Sequence, residues 1–194
     1  MNKGCAMNVY DFDKTIFYPD SSYCFICFCL RNYPRAVLRS VPSAGTVALR
    51  WCLKHAQTKE LKEKLFSFLP CLDNVDAVVQ EFWEAYRSHI GDWYRKQKRE
   101  DDLIISASPD FLLRPVAEEL GVQLIATRMD PHTGRITGNN CHDEEKICRF
   151  LMEYPHGEID EFYSDSLSDS PMAWFAKKAW LVKEGKNLYP WPNK

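Results

Sequence analysis

The chain is expected to fold as an α/β protein built on a parallel sheet, and three observations lead there. After residue 90, short apolar runs alternate with helical patterns, the signature of strands joined by crossover helices. A further apolar run, Ala6-Met7-Asn8-Val9-Tyr10, lies near the amino terminus and is suited to the same sheet. Between them, residues 20–90 carry helical spacing with little strand signal, so they read as an insertion directly after the first strand.

Each element has its reason. Residues 5–10 read as a strand. Leu61, Leu65 and Phe66 predict a helix over 60–68, and Val78, Val79, Phe82, Trp83 and Tyr86 predict another over 75–89. Pro34, Pro42 and Pro70 punctuate this block. Residues 93–99 form a short polar helical pattern, and 103–105 a strand ending in Ser106-Ala107-Ser108-Pro109. A helix follows to Leu120, with Gly121 as its terminating residue. Residues 122–126 predict a strand, and 129–138 a hairpin around Pro131-His132-Thr133-Gly134. Then come a helix over 144–153, a strand over 161–163, a helix over 171–178 and a strand over 179–182. The tail, 187–194, is rich in Pro and Trp and is expected to be irregular.

Composition narrows the function. With 25 basic and 27 acidic residues the formal net charge is −2, so no overall positive field points to nucleic acid. The basic stretch 54–64 is interspersed with Glu60 and Glu63 and reads as a solvated helix face. The amino terminus lacks the apolar core of a secretory signal, and the eight scattered cysteines read as reduced thiols in a cytoplasm. Cys24, Cys27 and Cys29 are interleaved with Phe25, Ile26, Phe28 and Leu30, so they read as small core residues rather than a zinc site. The apolar runs 22–30 and 36–53 are too short or too interrupted by arginine to span a membrane.

The chemistry concentrates in Asp11-Phe12-Asp13-Lys14-Thr15. Strand geometry would send both acids the same way at a strand's carboxyl end, where they repel unless a cation lies beside them. Asp-x-Asp also occurs in turns and helix caps, so this motif alone leaves both readings open. Three further signals lie beside predicted strand ends. Ser106-Ala107-Ser108 offers hydroxyls and backbone N–H groups to an anion, or a helix cap at Ser108 with Pro109 in the first helical position. Lys146 stands in the first turn of a helix, where the dipole opposes a cation; it faces an anion there or pairs with Glu144 or Glu145. Asp165 and Asp169 stand one helical turn apart and can join a hard-cation site or serve as turn and cap residues.

Taken together, Asp11-Phe12-Asp13-Lys14-Thr15, Ser106, Lys146 and Asp165-Ser166-Leu167-Ser168-Asp169 resemble the haloacid dehalogenase (HAD) superfamily of phosphohydrolases, and within it the phosphoserine-phosphatase-like subgroup. Ile104-Ile105-Ser106-Ala107-Ser108-Pro109 and Tyr163-Ser164-Asp165-Ser166 also resemble the bacterial phosphatidylglycerophosphatases of that superfamily. The resemblance implies a HAD-like three-layer α/β core with a parallel sheet, residues 1–16 and 91–194, and an inserted helical cap, 17–90. It implies Asp11 as nucleophile, Asp13 as general acid and base, and Mg²⁺ held by Asp11, the Asp13 carbonyl and Asp165. Ser106, the Ala107 N–H, Ser108 and Lys146 would bind the phosphoryl group, Asp169 would orient Lys146 or a water, and Thr15 would brace the loop. Asp13-Lys14-Thr15 also resembles the start of the ion-pump phosphorylation motif, but Ile16-Phe17 replace the Gly-Thr that follows there, which keeps Asp11 as the nucleophile.

The substrate is harder to read. Asp20 lies near the acid that binds the amine in phosphoserine phosphatases, and is equally suited to cap the helix that begins at Ser21-Ser22, the reading preferred here. Those enzymes tend to carry Ser-Gly-Gly where this chain has Ser106-Ala107-Ser108, which weakens a phosphoserine assignment. Tyr18, Tyr23, Phe25, Phe28, Tyr33 and Trp51 are expected mostly as cap core, with an apolar mouth for a lipid phosphate as the alternative. Arg31, Arg35, Arg39 and Arg50 read as surface residues. The expectation is a Mg²⁺-dependent phosphomonoesterase for a small phosphorylated substrate, with no nucleic-acid partner. The alternatives are a peripheral lipid-phosphate phosphatase in contact with a membrane, and a phosphate-binding regulator without turnover.

Overall fold

A computed structural model describes residues 6–39 and 59–192. A single six-stranded sheet runs through it in the order β3-β2-β1-β4-β5-β6. The strands are β1 (Ala6–Tyr10), β2 (Leu103–Pro109), β3 (Gln123–Thr127), β4 (Glu158–Ser164), β5 (Lys178–Lys183) and β6 (Asn187–Pro190). β1 to β5 are parallel, and β6 runs antiparallel to β5. The helices are α1 (Ser21–Asn32), α2 (Pro34–Leu38), α3 (Lys59–Leu65), α4 (Val75–Tyr86), α5 (Asp92–Gln97), α6 (Asp110–Leu120), α7 (Glu144–Glu153) and α8 (Ser170–Phe175). This is the α/β fold with a mostly parallel sheet that the alternating pattern predicted.

The register explains why the motifs meet. Tyr10 pairs with Ile104 on one side and with Tyr163 on the other. Asp11, Ser106 and Asp165 each follow within two residues of those positions, so three neighbouring strands deliver them to one sheet edge. The two sheet faces carry separate apolar clusters. One holds Val9, Leu103, Ile105, Phe150 and Phe162; the other holds Tyr10, Phe12, Phe25, Phe82 and Leu112.

Several local expectations are corrected. The tail is not irregular: Asn187–Pro190 pairs with β5, since Pro190 closes an edge strand where a missing N–H costs little. The cap of α6 is Pro109 in extended backbone, not Ser108, and β2 continues through the Ser106-Ala107-Ser108 stretch. The helix expected over 60–68 is Lys59–Leu65, and that over 75–89 ends at Tyr86 before a 3₁₀ turn, Arg87–His89. Gly121 does end α6, in the left-handed conformation with φ 68°. Of the aromatics expected in the cap core, Phe25 is buried and Phe28 and Tyr33 pack against the cluster, but Tyr18 and Tyr23 are exposed. Arg31, Arg35 and Arg39 are exposed as expected; Arg50 and Trp51 lie outside the described residues. Cys24 and Cys29 are buried free thiols. Among the described residues no helix is long and apolar enough to cross a membrane.

Candidate active site

Two polar networks meet at the carboxyl ends of β1, β2 and β4. The first centres on Lys146, in the first turn of α7. Its ammonium is buried and donates to Asp11 Oδ1 and to Asp169 Oδ2, each at 2.7 Å. The Ser164 hydroxyl, at the end of β4, also donates to Asp169 Oδ2 at 2.7 Å. Lys146 therefore faces anions across the fold rather than pairing with Glu144 or Glu145, which answers why a cation occupies a helix start. Asp11 Oδ2 takes no hydrogen bond from the described residues. Asp165 is placed near enough to raise the proton affinity of Asp11, and its carboxylate accepts from no other described side chain.

Asp11 and Asp169 thus hold one buried ammonium between them, with Asp165 near enough to feel its charge. Burial, together with repulsion from Asp169 and Asp165, pushes the Asp11 carboxyl up to about 8 against the pull of Lys146. Burial also raises Asp165, opposed by Lys14 and Lys146. Burial alone would lower the Lys146 ammonium, but Asp11 and Asp169 outweigh it and the net shift is upward. The excess of negative charge is what a hard divalent cation would neutralise. The uncommitted Asp165 carboxylate is a suitable ligand, as are Asp11 through Oδ1, which keeps a lone pair beside its Lys146 bond, and the Asp13 carbonyl, which accepts no backbone hydrogen bond among the described residues. Among those residues no three acid, histidine or cysteine side chains form a closed cage. A two-carboxylate set suits Mg²⁺, which keeps several waters.

The second network centres on Asp13. Its Oδ1 accepts the Ser21 N–H at 2.6 Å, and its Oδ2 accepts the Ser108 hydroxyl at 2.5 Å. The Ser21 hydroxyl donates to Ser108 Oγ at 3.1 Å, and Ser22 Oγ lies 2.8 Å from it. Ser21 N–H is one of the orphan donors at the start of α1, so the helix end itself stabilises the acid. Burial and the nearby Asp20 charge nevertheless lift Asp13 to about 6, with Ser108 and Ser21 opposing. A tight loop sets this position: Phe17 N–H and Ile16 N–H both return to the Phe12 carbonyl at 2.9 Å, and Lys14 takes φ 58°.

The remaining sequence candidates fall as follows. Asp20 caps α1, accepting the Tyr23 N–H at 2.9 Å, which is the preferred reading. The Ser108 hydroxyl donates to Asp13 Oδ2, and its N–H donates to Ser106 Oγ at 3.1 Å, so both of its donors are engaged within the protein. Ser106 is buried and its own proton has no acceptor among the described residues. The Thr15 hydroxyl, expected to brace the loop, is buried and has no hydrogen-bond partner among the described residues.

Sequence reasoning missed Lys62, Thr127 and Asn140. Lys62 was read as part of a solvated face, but its ammonium donates to the Ala107 carbonyl and, at 2.7 Å, to Asn140 Oδ1. Thr127 Oγ1 reaches the same two acceptors at 2.8 and 2.9 Å. A signal for Lys62 existed: it shares a helical face with Leu65 and Phe66, at i+3 and i+4. Thr127 and Asn140 carry no comparable pattern.

Comparison with known proteins places the chain in a family and a fold. The family described as haloacid dehalogenase-like hydrolase matches residues 9–173. Protein CicA of Caulobacter vibrioides is 30% identical over 204 residues, covering 91% of this chain and 86% of that protein. A Bordetella pertussis Tohama I protein of unknown function shares the fold with a TM-score of 0.76 at 22% identity, over 91% of this chain and 89% of that one. A phosphoserine phosphatase solved as a phospho-aspartyl intermediate analogue shares it with a TM-score of 0.55 at 15% identity, over 91% and 86% of the two chains.

Proposed function

Since the chain belongs to the haloacid dehalogenase-like hydrolases, we propose that it is a Mg²⁺-dependent phosphomonoesterase working through an aspartyl-phosphate on Asp11. The observation that carries this is the buried Lys146 ammonium held between Asp11 and Asp169, which fixes one Asp11 oxygen and leaves the other for attack.

Asp11 Oδ2 attacks phosphorus in line with the leaving oxygen. Asp13, with its carboxyl lifted to about 6, supplies a proton to that oxygen and then takes one from the water that hydrolyses the acyl phosphate. The Ser106 hydroxyl and the Ala107 N–H hold phosphoryl oxygens, and Lys146 offsets their charge. Asp11, the Asp13 carbonyl and Asp165 would hold the Mg²⁺, which when bound withdraws charge from the phosphoryl oxygens. The analogue of a phospho-aspartyl intermediate in a protein of the same fold supports the nucleophile assignment.

A small phosphorylated metabolite is the favoured substrate class: Phe25 and Phe28 pack inward, and of the aromatics expected in the cap only Tyr18 and Tyr23, among the described residues, are exposed where a lipid phosphate could meet them. The free cysteines support a reducing, cytoplasmic setting. The test is p-nitrophenyl phosphate hydrolysis with and without Mg²⁺, followed by a phosphorylated-metabolite panel that includes a phosphatidylglycerophosphate analogue. Asp11→Asn is expected to lower turnover by about 10³-fold or more and to abolish trapping by beryllofluoride. Full activity in that variant would end the assignment. Co-sedimentation with liposomes and preference for the lipid analogue would favour the peripheral-membrane alternative.

A further inference from the structure

The phosphoryl-binding turn is held from the helical block, not only from the sheet. Lys62 lies on α3, 45 residues away in sequence from Ala107, yet its ammonium is bonded to the Ala107 carbonyl and to Asn140 Oδ1. Thr127, at the end of β3, grips the same carbonyl from the core side at 2.8 Å. The other face of that peptide is its Ser108 N–H, which donates to Ser106 Oγ at 3.1 Å. The Ser106 oxygen is thereby used as an acceptor, and its own proton has no acceptor among the described residues. A charged donor on a carbonyl polarises the peptide and strengthens its N–H as a donor, so the three bonds reinforce one another.

We propose that Lys62 is a positioning residue that acts through the Ala107–Ser108 peptide to set the Ser106 hydroxyl for a phosphoryl oxygen. This rests on the phosphatase reading above and names a part of that site that lies outside the sheet. Lys62 touches neither Asp11 nor Asp13, although Asp13, Asp20, Cys141 and Lys146 all act on its charge. Burial brings its ammonium down to about 8, so the residue is a desolvated cation and not a solvated lysine. A cation is retained in such a place only where it is well bonded.

The experiment is a double-mutant cycle of Lys62→Met and Ser106→Ala, read by calorimetric titration of inorganic phosphate in the presence of Mg²⁺ and by p-nitrophenyl phosphate kinetics. Each single variant is expected to weaken phosphate binding by roughly tenfold, the scale of one charge-assisted hydrogen bond. The double variant is expected to be no weaker than Ser106→Ala, because Lys62 acts through Ser106. Lys64→Met, an exposed charge on the same helix, should leave both readouts unchanged. If Lys62→Met does not fold, Lys62→Gln takes its place in the cycle. Unchanged phosphate affinity in a folded Lys62 variant, or additive losses in the double variant, overturns the inference while leaving the phosphatase reading intact. Lys62-dependent phosphate binding without any turnover by the wild-type protein upholds the inference and sinks that reading. Absence of phosphate binding in the wild type sinks both.

Discussion

Asp11, Asp13, Asp102 and Asp165 are all carboxyls that burial pushes upward, Asp11 to about 8 and Asp13 and Asp102 to about 6. In the unfolded chain these groups ionise near 3.8. Between that value and about 8 the folded protein therefore binds more protons than the unfolded one, so without a divalent cation its stability falls as pH rises. Mg²⁺ favours the ionised carboxylates and should reverse most of this. In EDTA the melting temperature is expected to be lower at pH 8 than at pH 5, and Mg²⁺ should raise it more at pH 8; a larger gain at pH 5 would contradict the charge balance described. At this scale the sequence showed Asp11, Asp13, Lys146 and Asp165 through their combination beside predicted strand and helix ends, since each alone also fits a turn, a cap or a surface pair. Lys62 was hidden because its value arises from a contact 45 residues away, and only its spacing to Leu65 and Phe66 separates it from Lys59 or Lys64.

The elements divide in the same way. Gly121 could be read as a helix stop because a left-handed residue is a local demand, and α6 ends where it was expected. The pairing of β6 could not, since a Pro-rich tail looks irregular until a neighbouring edge supplies its hydrogen bonds. Two glycines test how local such demands are. Gly121 has φ +68° with open space around the position of a Cβ, so Gly121→Ala is expected to cost only the backbone term, about 1 kcal/mol. Gly134 has φ +69°, but there a Cβ would lie 2.5 Å from the Phe66 carbonyl oxygen, which belongs to the segment after α3. Gly134→Ala should lower the urea midpoint further than Gly121→Ala, and equal effects would show that the turn is free to withdraw from Phe66.

Across the molecule, the helical block and the sheet share one apolar cluster. The Phe82 ring lies 5.5 Å from Phe25 and 4.9 Å from Trp83, Trp83 meets Phe12 at 5.9 Å, and the Trp83 indole donates to the Leu112 carbonyl on α6 at 2.7 Å. The change from helical to alternating strand-and-helix patterns along the chain is legible in sequence; this side-chain continuity is not, because it depends on how rings from distant segments interlock. Phe82→Ala is therefore expected to cost about 3 kcal/mol or more, and urea transitions followed by tryptophan fluorescence and far-UV circular dichroism should coincide. Two separated midpoints would show the block melting by itself. At the opposite border, β6 lies against β5 while Trp191 returns its N–H to the Ala179 carbonyl at 2.9 Å and rests 6.0 Å from Phe162. Trimming that closing ribbon would bare the peptide groups of β5 beside Leu181 and Val182 and leave a sticky margin ready to recruit foreign strands. Fusion tags and truncations that disturb β6 thus bear on clumping in the test tube.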